Sequence, residues 1–337
     1  MTPRRRLGQT DMEISSVGLG SWAIGGPWAF GWGPQDDEAS IRAIQEGVER
    51  GINWVDTAPV YGHGHAEEVV GRAIRALPAD RRPLVFTKCG MVWGGNADPS
   101  ARSVRNLSPD SIRREVEDSL RRLGVERIDL YQFHWPDQTG VPVEESWATM
   151  GNLVQEGKIR AAGVSNFSVD LLERAEAVRH VDSLQPPFSL ITRSTASDLL
   201  PWARKHGTGV IAYAPMQNGL LTGAFSSSRV ADLADDDWRK RDPQFTEPQL
   251  SQNLALVESL RAIAERHQSS LPAVAIAWAL AWRGVTGAIA GARSPEQLRG
   301  WIGAMELELS MADLDEIGIA IAHTGAGNGP VRPELDA

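Results

Sequence analysis

A single cysteine, Cys89, has nothing in this chain to pair with, so an internal disulfide is excluded and a thiolate zinc cluster is untenable. Its place inside a strand-like stretch fits a buried structural thiol better than a nucleophile. No apolar run approaches membrane-spanning length, and the basic opening Met1–Arg6 has no apolar stretch behind it, so no signal peptide is expected. Positive charge is also short: 34 basic against 43 acidic residues leave a net charge of −9, which argues against a general nucleic-acid or anionic-membrane binder. A local basic pocket is still compatible with that balance. A cytoplasmic protein is the simplest expectation. Nucleotide fingerprints are incomplete as well. Gly18-Leu-Gly-Ser-Trp-Ala23 lacks the third glycine of a dinucleotide-binding turn, and no phosphate-cradling Gly-x-x-x-x-Gly-Lys-Ser/Thr occurs.

What the chain does have is alternation. Arg4–Leu7 and Met12–Ile14 flank the turn signal Gly8-Gln-Thr-Asp11, which predicts a small N-terminal hairpin. Strands are then expected at Val17–Gly20, Asn53–Asp56, Leu84–Lys88, Ile128–His134, Ile159–Val164, Ser183–Gln185, Gly209–Ala214 and Thr286–Ile289. Helical periodicity separates them, over Asp36–Arg50, Ala66–Leu77, Ser108–Leu123, Val143–Glu156, Val169–Val178, Ala196–Lys205, Pro248–His267, Pro272–Trp282 and the segment capped by Ser294. Ser108 is read as an N-cap with Pro109 at the first helical position. The pattern predicts an α/β chain folded as a (β/α)8 TIM barrel, in one domain over 1–337. The core covers about 15–304, and a C-terminal helix from Met311 to Ala322 with its tail fills 305–337. A polar segment, 216–247, interrupts the rhythm and reads as a lid or as disorder.

Four ionisable groups fall at three consecutive strand ends: Asp56 and, just beyond it, Tyr61; then Lys88; then His134. In such barrels the C-terminal strand ends carry catalysis, and adjacent strands lie about 4.8 Å apart, so these groups can meet. A phenol is a poor acid near neutrality unless a cation stabilises its anion. Lys88 is that cation, Asp56 offsets the cost of burying it, and His134 orients a carbonyl oxygen or relays the proton. No side chain supplies a hydride, so the tetrad calls for a nicotinamide cofactor. His63 and His65 have no third ligand nearby, and no metal is expected.

Asp56-Thr-Ala-Pro-Val-Tyr-Gly62, Thr87-Lys88, Leu130-Tyr-Gln-Phe-His134 and Gly163-Val-Ser-Asn-Phe167 together resemble the signature of the aldo-keto reductases. Tyr131–Pro136, Gln185-Pro-Pro-Phe-Ser189 and Gly219-Leu-Leu-Thr-Gly223 are most similar to the bacterial branch that resembles potassium-channel β subunits. The resemblance implies reversible reduction of small-molecule aldehydes or ketones to alcohols with NADPH, with NADH as the alternative cofactor, and the roles of Asp56, Tyr61, Lys88 and His134 given above. It also implies cofactor contacts from Gly20, Ser21 and Trp22; from Ser165, Asn166 and Gln185 at the nicotinamide carboxamide; and from Phe188 stacking on the nicotinamide where the family commonly has tyrosine. Tyr213 is expected among the cofactor contacts, and Ala214, Pro215, Met216, Gly219, Leu221 and Gly223 along the pyrophosphate, through backbone amides where glycine permits. Gly291, Arg293 and Gln297 fall at the 2′-phosphate. Trp301 stands where the family often has an adenine-contacting asparagine, and Gly300 where it often has an acid. Trp22, Trp28, Trp32, Trp93 and Trp135 sit on loops above the proposed site and predict an aromatic substrate wall. Two rival readings stay open: a cofactor-binding regulatory subunit with little turnover, and a Schiff-base aldolase acting through Lys88. The sequence is silent on oligomeric state.

Overall fold

The computed structural model describes residues 4–94 and 103–333. The glycine-, asparagine- and arginine-rich loop expected after the third barrel strand lies partly outside them, as does the end of the C-terminal tail. Twelve strands follow in chain order: β1 Arg4–Arg6, β2 Glu13–Ser15, β3 Val17–Gly20, β4 Trp54–Asp56, β5 Leu84–Cys89, β6 Met91–Val92, β7 Val104–Arg105, β8 Ile128–Phe133, β9 Ile159–Ser165, β10 Ser183–Gln185, β11 Gly209–Ala212 and β12 Val285–Gly291. The main helices are α1 Asp37–Glu49, α2 His65–Arg75, α3 Pro109–Leu123, α4 Val143–Gln155, α5 Val169–Val178, α6 Leu199–His206, α7 Ser227–Ala231, α8 Gln249–Ser259, α9 Arg261–Arg266, α10 Leu271–Leu280, α11 Pro295–Arg299 and α12 Met311–Thr324. Eight parallel strands close into a barrel in the order β10-β11-β12-β3-β4-β5-β8-β9, the expected TIM barrel.

Two apolar layers hold it. Inside the barrel, Trp54, Phe86, Leu130, Ala161, Ile211 and Ile289 pack with Leu7, Met12 and Ile14 of the hairpin β1–β2. That hairpin therefore plugs the N-terminal end of the barrel and leaves the C-terminal end for chemistry. Trp54 fills so much of the bottom that a Cβ on Gly18 would lie 2.2 Å from its ring, and its Nε1 donates to the Ser15 carbonyl at 2.9 Å. The larger layer lies between strands and helices, where Tyr131, Phe133, Val164, Phe188 and Ala212 meet the apolar helix faces.

Departures from the expected boundaries have local causes. β11 stops at Ala212 because Ala214 takes a positive φ of 52°, outside strand geometry. α6 begins at Leu199 because Asp198 accepts its backbone N–H, and a 3-10 turn over Ser194–Ala196 precedes it. The helix expected over Pro248–His267 is two, divided at Leu260. Ser108 precedes α3 as predicted but its side chain makes no capping bond. The polar segment 216–247 is folded into short helical turns over Gln217–Thr222, α7, Trp238–Arg241 and Pro243–Phe245, anchored by the buried Phe245 and Val230.

Candidate active site

β4, β5 and β8 are consecutive neighbours in the barrel, and their C-terminal ends bring the four predicted groups together. Lys88 is fully buried, and its Nζ donates to Asp56 Oδ1 at 2.5 Å and to the Thr57 carbonyl at 3.0 Å. The same Nζ lies 3.4 Å from the Tyr61 hydroxyl. Burial works against the ammonium, yet attraction to Asp56 and Tyr61 outweighs it, and the Lys88 pKa is raised. Lys88 is therefore a permanent cation at neutral pH. For Tyr61 the balance falls differently. Burial pushes the phenol pKa up, Lys88 pulls it down, Asp56 pushes it up again, and the net direction is upward. The resting residue is the neutral phenol, and Lys88 acts by limiting the cost of losing the proton.

His134 stands with its ring 5.6 Å from that of Tyr61, edge to face. Burial, then the charges of Lys88 and Arg105, hold its pKa well below the ordinary histidine range. A neutral imidazole results. Its Nδ1 is buried without a hydrogen-bond partner, which leaves Nε2 as the nitrogen with access to a ligand.

Gln132 was not anticipated. It is fully buried, and its Nε2 donates to Asp56 Oδ2 at 3.2 Å. Gln185 donates to the same oxygen at 2.9 Å and to Gln132 Oε1 at 3.0 Å. The side chain of Gln185 is thus committed to the carboxylate, while its carbonyl accepts from Ser165 Oγ at 2.7 Å. Asp56 carries one cation on one oxygen and two amides on the other. The signal for Gln132 was strand alternation: Leu130 lies in the barrel interior, Tyr131 and Phe133 in the outer layer, so Gln132 shares the inner face with Leu130.

The expected nicotinamide platform needs correcting. Phe188 has no exposed surface; its ring is stacked 5.5 Å from Trp278 and lies edge-on 5.4 Å from Trp282, in the layer under α10. It has no open face for a cofactor. Tyr213, just past β11, is only half-buried, its hydroxyl donating to Asn166 Oδ1 at 2.9 Å. Asn166, at φ 60°, donates in turn to the His134 carbonyl at 2.9 Å and to Ser165 Oγ at 3.1 Å. One acceptor lone pair of its amide remains. Gly20 and Ser21 are buried at the end of β3, where the Ser21 backbone N–H donates to the Asp56 carbonyl at 2.9 Å and Ser21 Oγ is buried without a partner.

The loop after β11 also differs from expectation. Leu221 is fully buried, and the backbone N–H groups of Leu221 and Gly219 both donate to the Met216 carbonyl at 3.1 Å. Neither amide is available to a pyrophosphate. Pro215 is buried and has no N–H, while Ala214, Met216 and Gly223 are partly open. The backbone is left-handed at Ala214, Gln217, Asn218 and Gly219, so the chain turns sharply after β11. Arg293 is half-buried with its guanidinium 6.0 Å from the Trp32 ring, and among the described residues no carboxylate pairs with it. Gln297 accepts from the Arg293 backbone N–H at 2.8 Å and so shapes the turn after Gly291. Trp301 is buried and donates to the Gly291 carbonyl at 3.0 Å, so its ring supports the turn from beneath.

Tryptophans of the first loop cluster beside Tyr61. Trp28 lies 5.8 Å from the Tyr61 ring, and Trp22 meets Trp28 at 6.4 Å and Trp32 at 5.2 Å. Trp238, brought in by the segment 216–247, meets Trp22 at 5.7 Å, and Arg239 lies over Trp32 at 5.0 Å. Trp93 stacks on His63 at 5.0 Å, and His65 is bonded to Asp37 at 2.8 Å. Trp135 carries the Arg105 guanidinium 4.2 Å from its ring centre. A Cβ at Gly62 would lie 1.9 Å from the Gly25 carbonyl oxygen, so the loop bearing Trp22 and Trp28 is pressed directly against the one bearing Tyr61.

Known proteins carry the same organisation. The family described as the aldo/keto reductase family matches residues 16–322. The chain is 36% identical over 332 residues to aldo-keto reductase YhdN of Bacillus subtilis, covering 98% of this chain and 96% of that protein. It is 36% identical over 314 residues to an NADH-specific methylglyoxal reductase of Escherichia coli, covering 91% and 94%. The structure of a glycerol dehydrogenase from Gluconobacter oxydans superposes with a TM-score of 0.88 at 39% identity, over 100% of this chain and 99% of that one.

Proposed function

The chain belongs to the aldo/keto reductase family of NAD(P)H-dependent oxidoreductases, and within it we propose that the protein reversibly reduces small aldehydes and ketones, with Tyr61 as proton donor. The observation that carries this reading is the buried chain Asp56–Lys88–Tyr61 beside a neutral His134. A nicotinamide cofactor, when bound, would supply the hydride. His134, uncharged, donates a hydrogen bond to the carbonyl oxygen and fixes its approach. Tyr61 gives that oxygen its proton as negative charge builds there. Lys88, 3.4 Å from the phenol oxygen, then faces the phenolate, and Asp56 keeps Lys88 aimed there. Reversal uses the same groups, with Tyr61 as base. Ser165, Asn166 and Tyr213 would hold the nicotinamide end, the segment 214–223 the pyrophosphate, and Arg293 the 2′-phosphate of NADPH.

Tyr61→Phe tests the assignment. Aldehyde reduction is expected to fall by at least a thousandfold, roughly the loss of one acid catalyst, while NADPH still quenches the tryptophan fluorescence with unchanged affinity. Full turnover in that variant removes Tyr61 from the mechanism. For the cofactor, Arg293→Ala is expected to weaken NADPH by about tenfold or more and leave NADH unchanged, as befits loss of a charge-assisted contact. The methylglyoxal reductase relative is named as NADH-specific, so equal losses for both cofactors would move this chain to that side.

A further inference from the structure

Arg105 has no role in the chemistry above, yet it is built into the mouth of the site. It pairs with Met91 in the two-stranded ribbon β6–β7, which leaves the barrel directly after β5. Asn106 N–H donates to the Gly90 carbonyl at 3.0 Å and Gln138 N–H to the Arg105 carbonyl at 3.0 Å, so the backbone is held on both sides. The guanidinium lies 4.2 Å from the ring centre of Trp135, the residue that follows His134. Its charge is among those that keep His134 unprotonated, which places it within electrostatic reach of the carbonyl-binding group.

Several other half-buried arginines in this protein have carboxylates: Arg122 has Glu67, Arg160 has Asp129, Arg179 has Asp182, and Arg239 has Asp237. Among the described residues no carboxylate pairs with Arg105. The charge of Lys88 is cancelled by Asp56, whereas Arg105 is a cation at the substrate end that no carboxylate of the described residues compensates. Around it the mouth is apolar, with Trp28 and Trp93 half-buried and Phe30 and Val104 exposed.

We propose that Arg105 binds a carboxylate on the substrate, and that the preferred substrates are short aliphatic or aryl aldehydes and ketones carrying one carboxylate. This rests on the carbonyl-reductase reading and deepens it. A single guanidinium neutralises one charge and matches a carboxylate in a two-point fork. A phosphate dianion would need a second free cation, and Lys88 is already paired.

The experiment uses the holoenzyme and matched substrate pairs: 4-carboxybenzaldehyde against methyl 4-formylbenzoate, and succinic semialdehyde against butanal. The wild type should favour the carboxylate of each pair by about tenfold to a hundredfold in kcat/KM, the range of one charged hydrogen-bonded contact. The preference should sit in KM and shrink as salt rises. Arg105→Gln should erase the discrimination, lowering carboxylate turnover far more than ester or alkanal turnover, and Arg105→Lys should restore part of it. Equal use of both members by the wild type overturns the assignment, as does an equal loss for both in Arg105→Gln. Those outcomes leave carbonyl reduction standing. Turnover of no member of either pair overturns both readings together.

Discussion

Lys88→Met isolates what the buried ion pair contributes to the fold, apart from any catalysis. The side chain of Lys88 is 1% exposed and that of Asp56 4%, so removing the ammonium leaves a carboxylate with almost no water. Breaking a buried pair by deleting one partner costs about 3–5 kcal/mol. Here Gln132 and Gln185 still donate to Asp56 Oδ2, which places the expected loss near the lower end, about 3 kcal/mol. Adding Asp56→Asn removes the stranded charge, keeps an acceptor for the two amides, and should recover all but about 1 kcal/mol of the loss. Urea unfolding followed by circular dichroism at pH 7 measures both changes. The pH is chosen by sign. The folded pKa of Lys88 is raised, so its contribution is fully present below the ordinary lysine value of about 10.4 and is lost only as pH rises through the folded value. If the double variant is no more stable than Lys88→Met, a stranded charge is not the cause of the loss. Carbonyl reduction is expected to be lost in both variants whatever the stability.

Glu115, held by Gly90 N–H at 2.9 Å and Ser111 Oγ at 3.0 Å, has its pKa raised by burial to about 7. Its contribution to stability is present below the ordinary glutamate value and is lost as pH rises toward 7, so Glu115→Gln should flatten that part of a melting-temperature profile against pH. Gln132→Leu deletes one donor to Asp56 and the acceptor of Gln185; it should cost about 1–3 kcal/mol in urea unfolding and shift the pH profile of turnover while cofactor affinity holds. Gly62→Ala puts a methyl 1.9 Å from the Gly25 carbonyl at φ 63°. It should cost about 2–4 kcal/mol from left-handed strain and overpacking and depress turnover. Gly33→Ala, at φ 77° with nothing within 4 Å, should cost only the strain, about 1 kcal/mol.

The barrel was legible because its strands are short apolar runs and most of its helices carry their own caps, such as Asp36 before α1 and Ser294 before α11. The tetrad was legible for a related reason: a polar residue ending an apolar strand has one place to be in this architecture. Phe188 was misplaced because an aromatic near a strand end can face either layer of a barrel, and only the packing under Trp278 and Trp282 decides. Leu221 and Gly219 were misread because the left-handed turns at Gln217 and Asn218 fold their amides back onto Met216. Trp238 was invisible: nothing local says that residue 238 returns to residue 22, since a tertiary contact over that separation leaves no periodic trace.

The contact between Gly25 and Gly62 bears on how this scaffold can be re-engineered. Because neither position has room for a methyl, the two loops share one backbone surface and behave as a single exchangeable cassette. A chimera that imports residues 21–36 from a relative inherits the host's Tyr61 position only when glycine is kept on both sides of that seam. Transplants that respect it should retain turnover and change selectivity, whereas those that do not will be scored as dead enzymes for a reason unrelated to their substrate.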